Sequence, residues 1–500
     1  MQIRWAVLLP PLVPLLACAL VGLYDPQLLI DYAKGGSDWI LQHFDWLFSW
    51  SCSAFVVLLT YVYFSPLGRA TIGGEGAERL LSPWRWFAIT ACTTIATGIL
   101  FWGIAEPVYH VSAPPPAGEG EPLVFALSTL FLHWTLTPYA IYTVGGLLFA
   151  LGFYNAREPF SLSTLLAPVF GPGVHRWGGA VVDAVCLFAL VAGMAAALGA
   201  GSLALQGGVT AYLGGDAGEN YVPLGTVIGS IVVAFSSSAA SGLQRGIRLL
   251  SNYNIIGFLL LAAFVFLAGP TGEVVGLAGR AAVDYLVTFV PRNLGLDPGI
   301  PTAWSHDWTG FYWANWYAWA PITALFLGRL ARGYTVRRFI EVNLLATSAF
   351  GALWMVAFGG TALLLDAQAG GVLQETLAAA GPEAVAYALL EQLPGVRVTA
   401  AFFLLLIFLS YVTAADSNVS AMSALCVRGI GPDSAEGPLG VKLLWGAVIG
   451  STAWVLVSYA GLDGIRLIST LGGFPAMLLF ILAAVGLLRL RQQSSGGDLF

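Results

Sequence analysis

Long apolar stretches separated by short polar connections run along nearly the whole chain. A helix needs about 20 mostly apolar residues to cross a bilayer, and twelve stretches meet that length. The predicted spans are approximately 5–23, 46–64, 86–106, 124–151, 181–207, 223–241, 252–270, 308–330, 341–365, 396–424, 441–460 and 465–488. The first follows a lone Arg4 and has no A-x-A-like cleavage site before Tyr24, so we interpret it as a retained helix and not a signal peptide.

Composition supports a chain that faces lipid. Of its 500 residues, 58% are hydrophobic and 10% are charged, with a mean hydropathy of +0.79. Soluble domains carry about 25% charged residues, so this chain has too few charges to cover a water-facing surface. No basic cluster points to nucleic acid. The five cysteines lie in apolar stretches without paired spacing, which favours buried small side chains over a metal site or a disulfide.

The distribution of Lys and Arg predicts the orientation. With an inner N-terminus, 16 of the 21 basic residues fall on the cytoplasmic side. The outer side keeps Lys34, Arg280, Arg292, Arg397 and Arg466. This bias predicts an even number of spans with both termini in the cytoplasm, and we expect a multi-pass protein of a bacterial inner (plasma) membrane. The long, partly amphipathic connection 271–307 is expected to lie along the outer membrane surface.

Two aromatic clusters lie away from the span ends, where interfacial Trp residues normally collect. In the segment 133–142, HWTLTPYAIY, Trp134, Pro138 and Tyr142 are spaced by four and share a helix face, with Tyr139 beside it. Pro138 removes a backbone hydrogen bond and predicts a kink.

The second cluster, 308–321, reads WTGFYWANWYAWAP, and its Trp313, Trp316 and Trp319 follow at a spacing of three. Aromatic faces attract cations that are hard to hydrogen-bond, at about 0.5–2 kcal/mol per contact. A bare ammonium would prefer carboxylates or carbonyls. Rings without a partner acid therefore favour a permanently methylated, or onium, head as the ligand.

Other polar and small residues in the spans leave alternatives open. The small residues around Gly98 fit either close helix packing or local unwinding. Asp416 fits either an ion or proton site or a hydrogen bond to a broken helix. Glu106 is expected to fix the outer end of its span, and His133 to be a satisfied core histidine. No nucleophile–base pair, phosphate loop or metal-ligand spacing points to an enzyme.

Five segments resemble the betaine/carnitine/choline transporter (BCCT) family when taken in chain order. They read ILFWGIAEP (99–107), HWTLTPYAIY (133–142), SSSAASGLQRGIRLLSNYN (236–254), FYWANWYAWAP followed by GRLARGYTVRRFI (311–340 overall), and TAADS (413–417). The resemblance covers nearly the whole chain. It implies a secondary active transporter of an onium solute, of the glycine betaine, carnitine, choline or dimethylsulfoniopropionate type, that works by alternating access.

The resemblance also implies an architecture that periodicity alone does not give. An all-α membrane protein of 12 transmembrane helices is expected, with a LeuT-type inverted repeat of five plus five helices after two extra helices. The expected parts are two N-terminal helices (1–84), a first repeat (85–270), an outer amphipathic connection (271–307), a second repeat (308–490) and a short cytoplasmic tail (491–500). Family members suggest a homotrimer.

The site residues implied by the resemblance fall in the third, fourth and eighth spans. Carried over by position, they are a box of Trp134, Tyr139, Tyr142 and Trp316, path or second-site residues Trp313 and Trp319, and the third-span residues Ile95, Ala96 and Gly98. Tyr139 replaces a usual Trp, Asn315 stands where Trp is common, and only the last glycine of a G-x-G-x-G motif remains. No acid lies near Gly98, which favours a zwitterion over choline.

The implied ion sites are incomplete. Thr413 remains at one sodium site, with Cys92 and Ile95 supplying carbonyls, but Ala414 replaces a serine. Leu190 and Met194 replace the two hydroxyl residues of the other site, and a hard cation needs oxygen ligands. No cofactor is expected, and coupling to Na+, to H+ or to exchange of substrate stays open. Two rival functions also stay open: a LeuT-type carrier of another amine or amino acid, and an onium-binding channel or sensor.

Overall fold

The computed structural model describes residues 2–94, 96–115, 121–213, 222–240, 244–431 and 437–494. These residues are almost entirely helical, and the predicted all-α membrane class is confirmed. The α-helices are α1 (Trp5–Tyr24), α2 (Pro26–Phe64), α3 (Pro83–Thr94), α4 (Ala96–Ser112), α5 (Pro122–Trp134), α6 (Leu136–Ala150), α7 (Ala167–Phe170), α8 (Val174–Trp177), α9 (Gly179–Tyr212), α10 (Leu224–Ala240), α11 (Gln244–Ala268), α12 (Thr271–Asn293), α13 (Thr302–Ser305), α14 (Phe311–Leu330), α15 (Val336–Ile340), α16 (Thr347–Trp354), α17 (Thr361–Gln368), α18 (Val372–Ala380), α19 (Pro382–Glu391), α20 (Val396–Leu425) and α21 (Leu439–Ser494).

Short helical turns of other types connect or extend these helices. The 3-10 turns are Pro66–Arg69 and Leu162–Leu165, and the π turns are Leu151–Asn155, His306–Gly310, Glu341–Ala346 and Met355–Gly360. The π turns continue the helices beside them, so α15, α16 and α17 form one span, Val336–Gln368. Four such turns in the described chain indicate a bundle with many local irregularities, which are frequent at functional sites.

Within the described residues, ten helical segments are long and apolar enough to cross a membrane, or eleven if the bent pair α3–α4 is one span. The predicted count of twelve therefore stays a prediction. One of the ten is α12, which lies in the connection expected on the outer surface. The aromatic helix α14 is not among them, because the polar atoms of Trp and Tyr lower its hydropathy. Two more predicted spans are missing from the ten: the bent pair α3–α4, and α10, which has only 17 residues.

Several spans are broken, and each break has a local cause. The helices of the α3–α4 pair meet at 56°. Gly461 interrupts α21 with φ 53° and ψ −133°, a conformation that only glycine adopts easily. Thr135 separates α5 from α6 with φ −124° and ψ −122°. Pro138 explains that break, since its ring clashes with the carbonyl of the residue four positions earlier, Trp134.

The centre of the bundle is formed by α6, α9, α14 and α21, which pack against one another. Small residues allow this close approach, as Gly473 shows: a Cβ added to it would lie 2.1 Å from the Ala314 carbonyl oxygen of α14. By contrast, α12 exposes large apolar side chains such as Leu286 and Val287. Such a surface suits contact with lipid. Several buried polar groups, among them His133 and Thr309, lie near the centre of the bundle.

A buried carboxylate ties the N-terminus to the rest of the fold. Asp183, in the first turns of α9, pairs with Arg4 at 2.7 Å and accepts hydrogen bonds from the Ser161 hydroxyl at 2.9 Å and the Leu162 amide at 2.7 Å. The Arg4 amide also donates to the Cys426 carbonyl at 2.8 Å, just beyond α20. The start of the chain, α9 and the end of α20 are thus fastened together at one point.

Candidate functional site: an aromatic cage at the centre of the bundle

The break between α5 and α6 links the two aromatic clusters. Because Pro138 has no amide hydrogen and Thr135 leaves the helical conformation, carbonyls at the end of α5 lose their normal partners. The indole nitrogen of Trp316, on α14, donates to one of them, the His133 carbonyl, at 3.2 Å. A sequence feature of the fourth predicted span thereby fixes the position of an aromatic ring from the eighth.

The other three predicted box residues pack around the fourth, Trp316. Its ring centroid lies 5.4 Å from that of Trp134, 5.4 Å from Tyr139 and 5.2 Å from Tyr142. All four side chains are buried. Tyr139 and Tyr142 lie three positions apart on α6 and so face the same side, while Trp134 ends α5. We call these four residues the aromatic cage.

A cavity of about 50 Å³ adjoins the aromatic cage. Three cage residues, Trp134, Tyr142 and Trp316, line it, whereas Tyr139 packs behind Trp316. The remaining lining residues are aromatic, small or weakly polar: Thr93, Thr94, Gly98, Trp102, Ala196, Ala197, Ala200, Phe311, Asn315, Trp319, Tyr411 and Ile465. Drug-sized pockets measure about 300–1,000 Å³, so this cavity suits a solute of few heavy atoms.

Polar groups at the cavity are few and mostly held by neighbours. The Asn315 side-chain oxygen accepts a hydrogen bond from the Ser469 hydroxyl at 3.0 Å, which orients the amide group. The Thr94 hydroxyl donates to the Thr90 carbonyl at 2.8 Å. The site therefore offers one oriented amide and a few hydroxyls among aromatic and small side chains, a mixture typical of a small-molecule site.

Gly98 allows the third predicted span to approach the aromatic cage. A Cβ added at this position would lie 2.5 Å from the outer edge of the Trp134 ring, closer than real Cβ atoms come. Any larger residue would therefore displace that ring. Of the other third-span residues expected at the site, Ile95 and the side chain of Ala96 lie outside the described residues.

A buried carboxylate holds the aromatic cage in place. Glu106 of α4 accepts a hydrogen bond from the Trp134 indole nitrogen at 2.8 Å, and its same oxygen accepts one from the Tyr312 hydroxyl. Its other oxygen lies 2.6 Å from Nδ1 of His133 and 3.3 Å from Nε2 of His110. With protons on these two nitrogens, all four groups donate to Glu106. We call these five residues the Glu106 cluster.

The Glu106 cluster brings together the ligand types of a transition-metal site, since Glu106, His110 and His133 offer atoms within 4.8 Å of one another. The distances favour hydrogen bonds instead. Two ligands of a tetrahedral ion, each at about 2.0–2.2 Å, lie about 3.4 Å apart. The 2.6 Å separation between Glu106 and His133 is too short for an ion between them and typical of a charge-assisted hydrogen bond. In addition, Nε2 of His133 already bonds the Thr309 hydroxyl at 3.1 Å.

Trp313 and Trp319 occupy different environments. Trp319 lines the cavity, and a Cβ on Gly193 of α9 would lie 3.1 Å from its ring, so α9 fits closely around it. Trp313 is fully buried one turn away, with its ring centroid 5.9 Å from that of His133. It is absent from the residues that line the cavity in the described chain.

The expected ion-site residues are engaged with neighbouring backbone. The Thr413 hydroxyl donates to the Leu409 carbonyl at 2.9 Å, and the Cys92 thiol donates to the Ser251 carbonyl at 3.3 Å. Leu190 and Met194 are buried apolar side chains on α9. The amide of Asn254 on α11 donates to the Ser410 hydroxyl at 2.9 Å, three residues before Thr413. These contacts join α3, α11 and α20.

Asp416 forms a contact between helices. It accepts a hydrogen bond from the Ser238 hydroxyl at 2.6 Å, which joins α20 to α10.

Comparison with known proteins identifies the family of the chain. A family model described as BCCT, betaine/carnitine/choline family transporter, matches residues 6–495. The chain belongs to the betaine/carnitine/choline transporter family. This family membership makes it a secondary transporter and not an enzyme.

Individual relatives match over most of their length. The chain is 30% identical to the glycine betaine transporter OpuD of Bacillus subtilis over 476 residues, covering 94% of this chain and 91% of the relative. It is 29% identical to the ectoine/hydroxyectoine transporter of Virgibacillus pantothenticus over 455 residues, covering 90% and 88%. It is 27% identical to a glycine betaine/proline/choline transporter of Vibrio parahaemolyticus over 471 residues, covering 90% and 83%.

The contacts of Glu106 in this BCCT chain were not predicted, whereas His133 is buried with both ring nitrogens hydrogen-bonded, as expected of a satisfied core histidine. Glu106 was expected to fix the end of its span, yet it contacts two rings near the cavity. The available signal was the presence of three ionisable side chains, Glu106, His110 and His133, in spans that are otherwise almost free of charge. Glu106 and His133 are 27 residues apart along the chain, so their contact could not be derived from sequence spacing.

Proposed function

We propose that this BCCT protein transports a small zwitterionic onium solute of the glycine betaine type, with the methylated head held by the aromatic cage. The observation that carries the proposal is the meeting of Trp134, Tyr139 and Tyr142 around Trp316, beside a cavity in the middle of the bundle. These rings come from the two clusters whose density first suggested an onium ligand.

The physical basis is the attraction of a cation to several ring faces in a site that excludes water. Three rings that line the cavity, at about 0.5–2 kcal/mol each, give roughly 2–6 kcal/mol. A methylated ammonium loses little on leaving water because it has no N–H groups to satisfy. A primary ammonium would leave its donors unpaired against these walls, which disfavours the rival amino-acid carrier.

The relatives support the solute class. Proteins named as glycine betaine and ectoine/hydroxyectoine transporters match this chain over 90% or more of its length. Both solutes are small zwitterions.

We further propose that the chain lies in a bacterial inner membrane with both termini in the cytoplasm. Support comes from the placement of 16 of its 21 basic residues in the predicted inner segments. A LeuT-type inverted repeat and a homotrimer are expectations from family resemblance.

Uptake of labelled glycine betaine into proteoliposomes tests the proposal, with sodium and proton gradients imposed separately so that the assay also identifies the coupling ion. Trp316→Ala removes the central ring and should lower uptake about 10- to 30-fold. Trp177→Ala, at an exposed Trp, is the matched control and should keep wild-type uptake.

Three results would contradict the proposal. Uptake by Trp316→Ala equal to the wild type would reject the aromatic cage. Counterflow without acceleration by internal betaine would indicate a channel or sensor. Stronger competition from an amino acid with a primary amine than from unlabelled betaine would favour the amino-acid carrier.

A further inference from the structure

Arg466 lies at the edge of the cavity wall. It follows Ile465, which lines the cavity, and it belongs to the second half of α21. Its guanidinium carbon lies 5.6 Å from the ring centroid of Phe311, another lining residue, and 5.0 Å from that of Trp308. The positive charge therefore lies close to a ring that lines the cavity.

Arg466 has no acidic partner among the described residues, unlike two other partly buried arginines. Arg4 pairs with Asp183, and Arg292 pairs with Asp284 and Asp297. No described carboxylate forms an ion pair with Arg466, and its Nε atom is buried without a hydrogen bond in the described structure. Asp463, three residues earlier, is exposed and does not reach it. A partly buried guanidinium without a counter-charge costs free energy, and this points to a role with a ligand.

The cavity walls therefore carry opposite charges behind two different rings. Behind Trp134 lies Glu106, which accepts the hydrogen bond from its indole nitrogen. Beside Phe311 lies Arg466. A zwitterion presents both charges, so its carboxylate can turn toward the guanidinium while its head stays among the rings. A purely cationic onium solute is repelled by Arg466 and gains nothing in return.

We infer that Arg466 is a specificity-determining residue, which makes this transporter prefer onium solutes that carry a carboxylate over solutes that are only cationic. The inference rests on the proposed function and deepens it, since it assigns the second half of the substrate to a residue. It acts through the positive charge of Arg466, which lies beside the cavity wall and is only partly exposed to solvent.

Purified full-length protein tests this with two ligands that share the trimethylammonium head. Glycine betaine has a carboxylate, and choline has a hydroxyl in its place. Binding of each is measured by isothermal titration for the wild type, Arg466→Gln and Arg466→Lys. For Arg466→Gln, the Kd of betaine should rise about tenfold or more while the Kd of choline stays equal or falls. Arg466→Lys keeps the charge and should recover part of the betaine affinity.

Arg397→Gln is the matched control, because it removes one exposed arginine from the predicted outer side without touching the cavity. It should leave the ratio of the two dissociation constants unchanged. Equal weakening of both ligands in Arg466→Gln, with no recovery in Arg466→Lys, would assign Arg466 a structural role and overturn the inference. An unchanged ratio would overturn it as well.

The failure of the proposed function looks different. Wild-type protein that binds neither betaine nor choline would reject onium transport and, with it, this role of Arg466. Wild-type protein that binds both ligands, with an Arg466→Gln variant that keeps the wild-type ratio, would reject only the role of Arg466.

Discussion

Two buried carboxylates, Glu106 and Asp183, both need hydrogen-bond donors to offset the loss of water, but their donors differ. Both side chains are fully buried and both accept several hydrogen bonds. The partners of Asp183 are a guanidinium, a hydroxyl and a backbone amide, which fasten the chain's beginning to α9. The partners of Glu106 include the Trp134 ring of the aromatic cage. Burial of an acid is therefore not by itself a sign of function; the identity of its donors decides.

The comparison predicts the largest effect on transport for Glu106→Gln. An amide offers one acceptor oxygen in place of two, so at least one donor among Trp134, Tyr312 and the two histidines loses its partner, at about 1–3 kcal/mol each. We expect betaine uptake to fall about 10- to 100-fold, measured in proteoliposomes at equal protein density.

Glu121→Gln is the control for that experiment, since Glu121 is exposed and its one ion pair among the described residues is with exposed Arg280. Its uptake should match the wild type. Wild-type betaine affinity in Glu106→Gln would place Glu106 in the same structural category as Asp183 and remove the distinction drawn between them.

Asp183→Asn should act on stability and leave substrate recognition intact. Arg4 would lose its charged partner, and breaking a buried ion pair costs about 3–5 kcal/mol. We expect a lower melting temperature in detergent, with the KM for betaine in the folded fraction within about twofold of the wild type.

A double variant sharpens that result. If the pair explains the loss, Arg4→Gln combined with Asp183→Asn should be less destabilised than the sum of the single changes. A raised KM with an unchanged melting temperature would show that the contact at the chain's beginning influences the aromatic cage after all.

The smallest effect is expected at Tyr139, the cage residue that lies behind Trp316. Its hydroxyl is buried and forms no hydrogen bond in the described structure. Tyr139→Phe keeps the ring and removes an unsatisfied polar group, so the free energy of unfolding should stay equal or rise by up to about 1 kcal/mol. The KM should change less than twofold.

Tyr312→Phe serves as the contrasting variant, because the Tyr312 hydroxyl donates to Glu106. It should weaken betaine binding more than Tyr139→Phe does. The opposite order would indicate that the Tyr139 hydroxyl contacts the solute during transport.

Much of the aromatic cage could be predicted from the sequence, because helical spacing and the effect of proline are local properties of the chain. Trp134 and Tyr142 share a face through helical spacing, and Pro138 predicts the nearby break, which the structure places at Thr135. Trp316 could be singled out from the density of aromatic residues in its span. None of these positions required knowledge of which helices are neighbours.

Other parts of the site depend on contacts between distant segments and could not be found in this way. Glu106 reaches Tyr312, 206 residues later, and Arg466 reaches Phe311 only because α21 packs on α14. The number of spans was also beyond reach, since α12 is as apolar as a span while the aromatic α14 is less so. Hydropathy reports the composition of a segment, whereas long-range contacts and the position of a helix in the bundle depend on packing.

The hydrogen bond from the Trp316 indole to the His133 carbonyl has a consequence for motion. It joins a helix of the first half of the chain to a helix of the second. In an unbroken helix the His133 carbonyl would instead accept a hydrogen bond from a backbone amide of the same helix. Any relative rotation of these two helices must stretch or break that bond. The indole hydrogen of Trp316 should then exchange with solvent deuterium at a rate set by how often the two helices separate. The exchange rate of this one side chain would therefore report the frequency of that motion during the transport cycle.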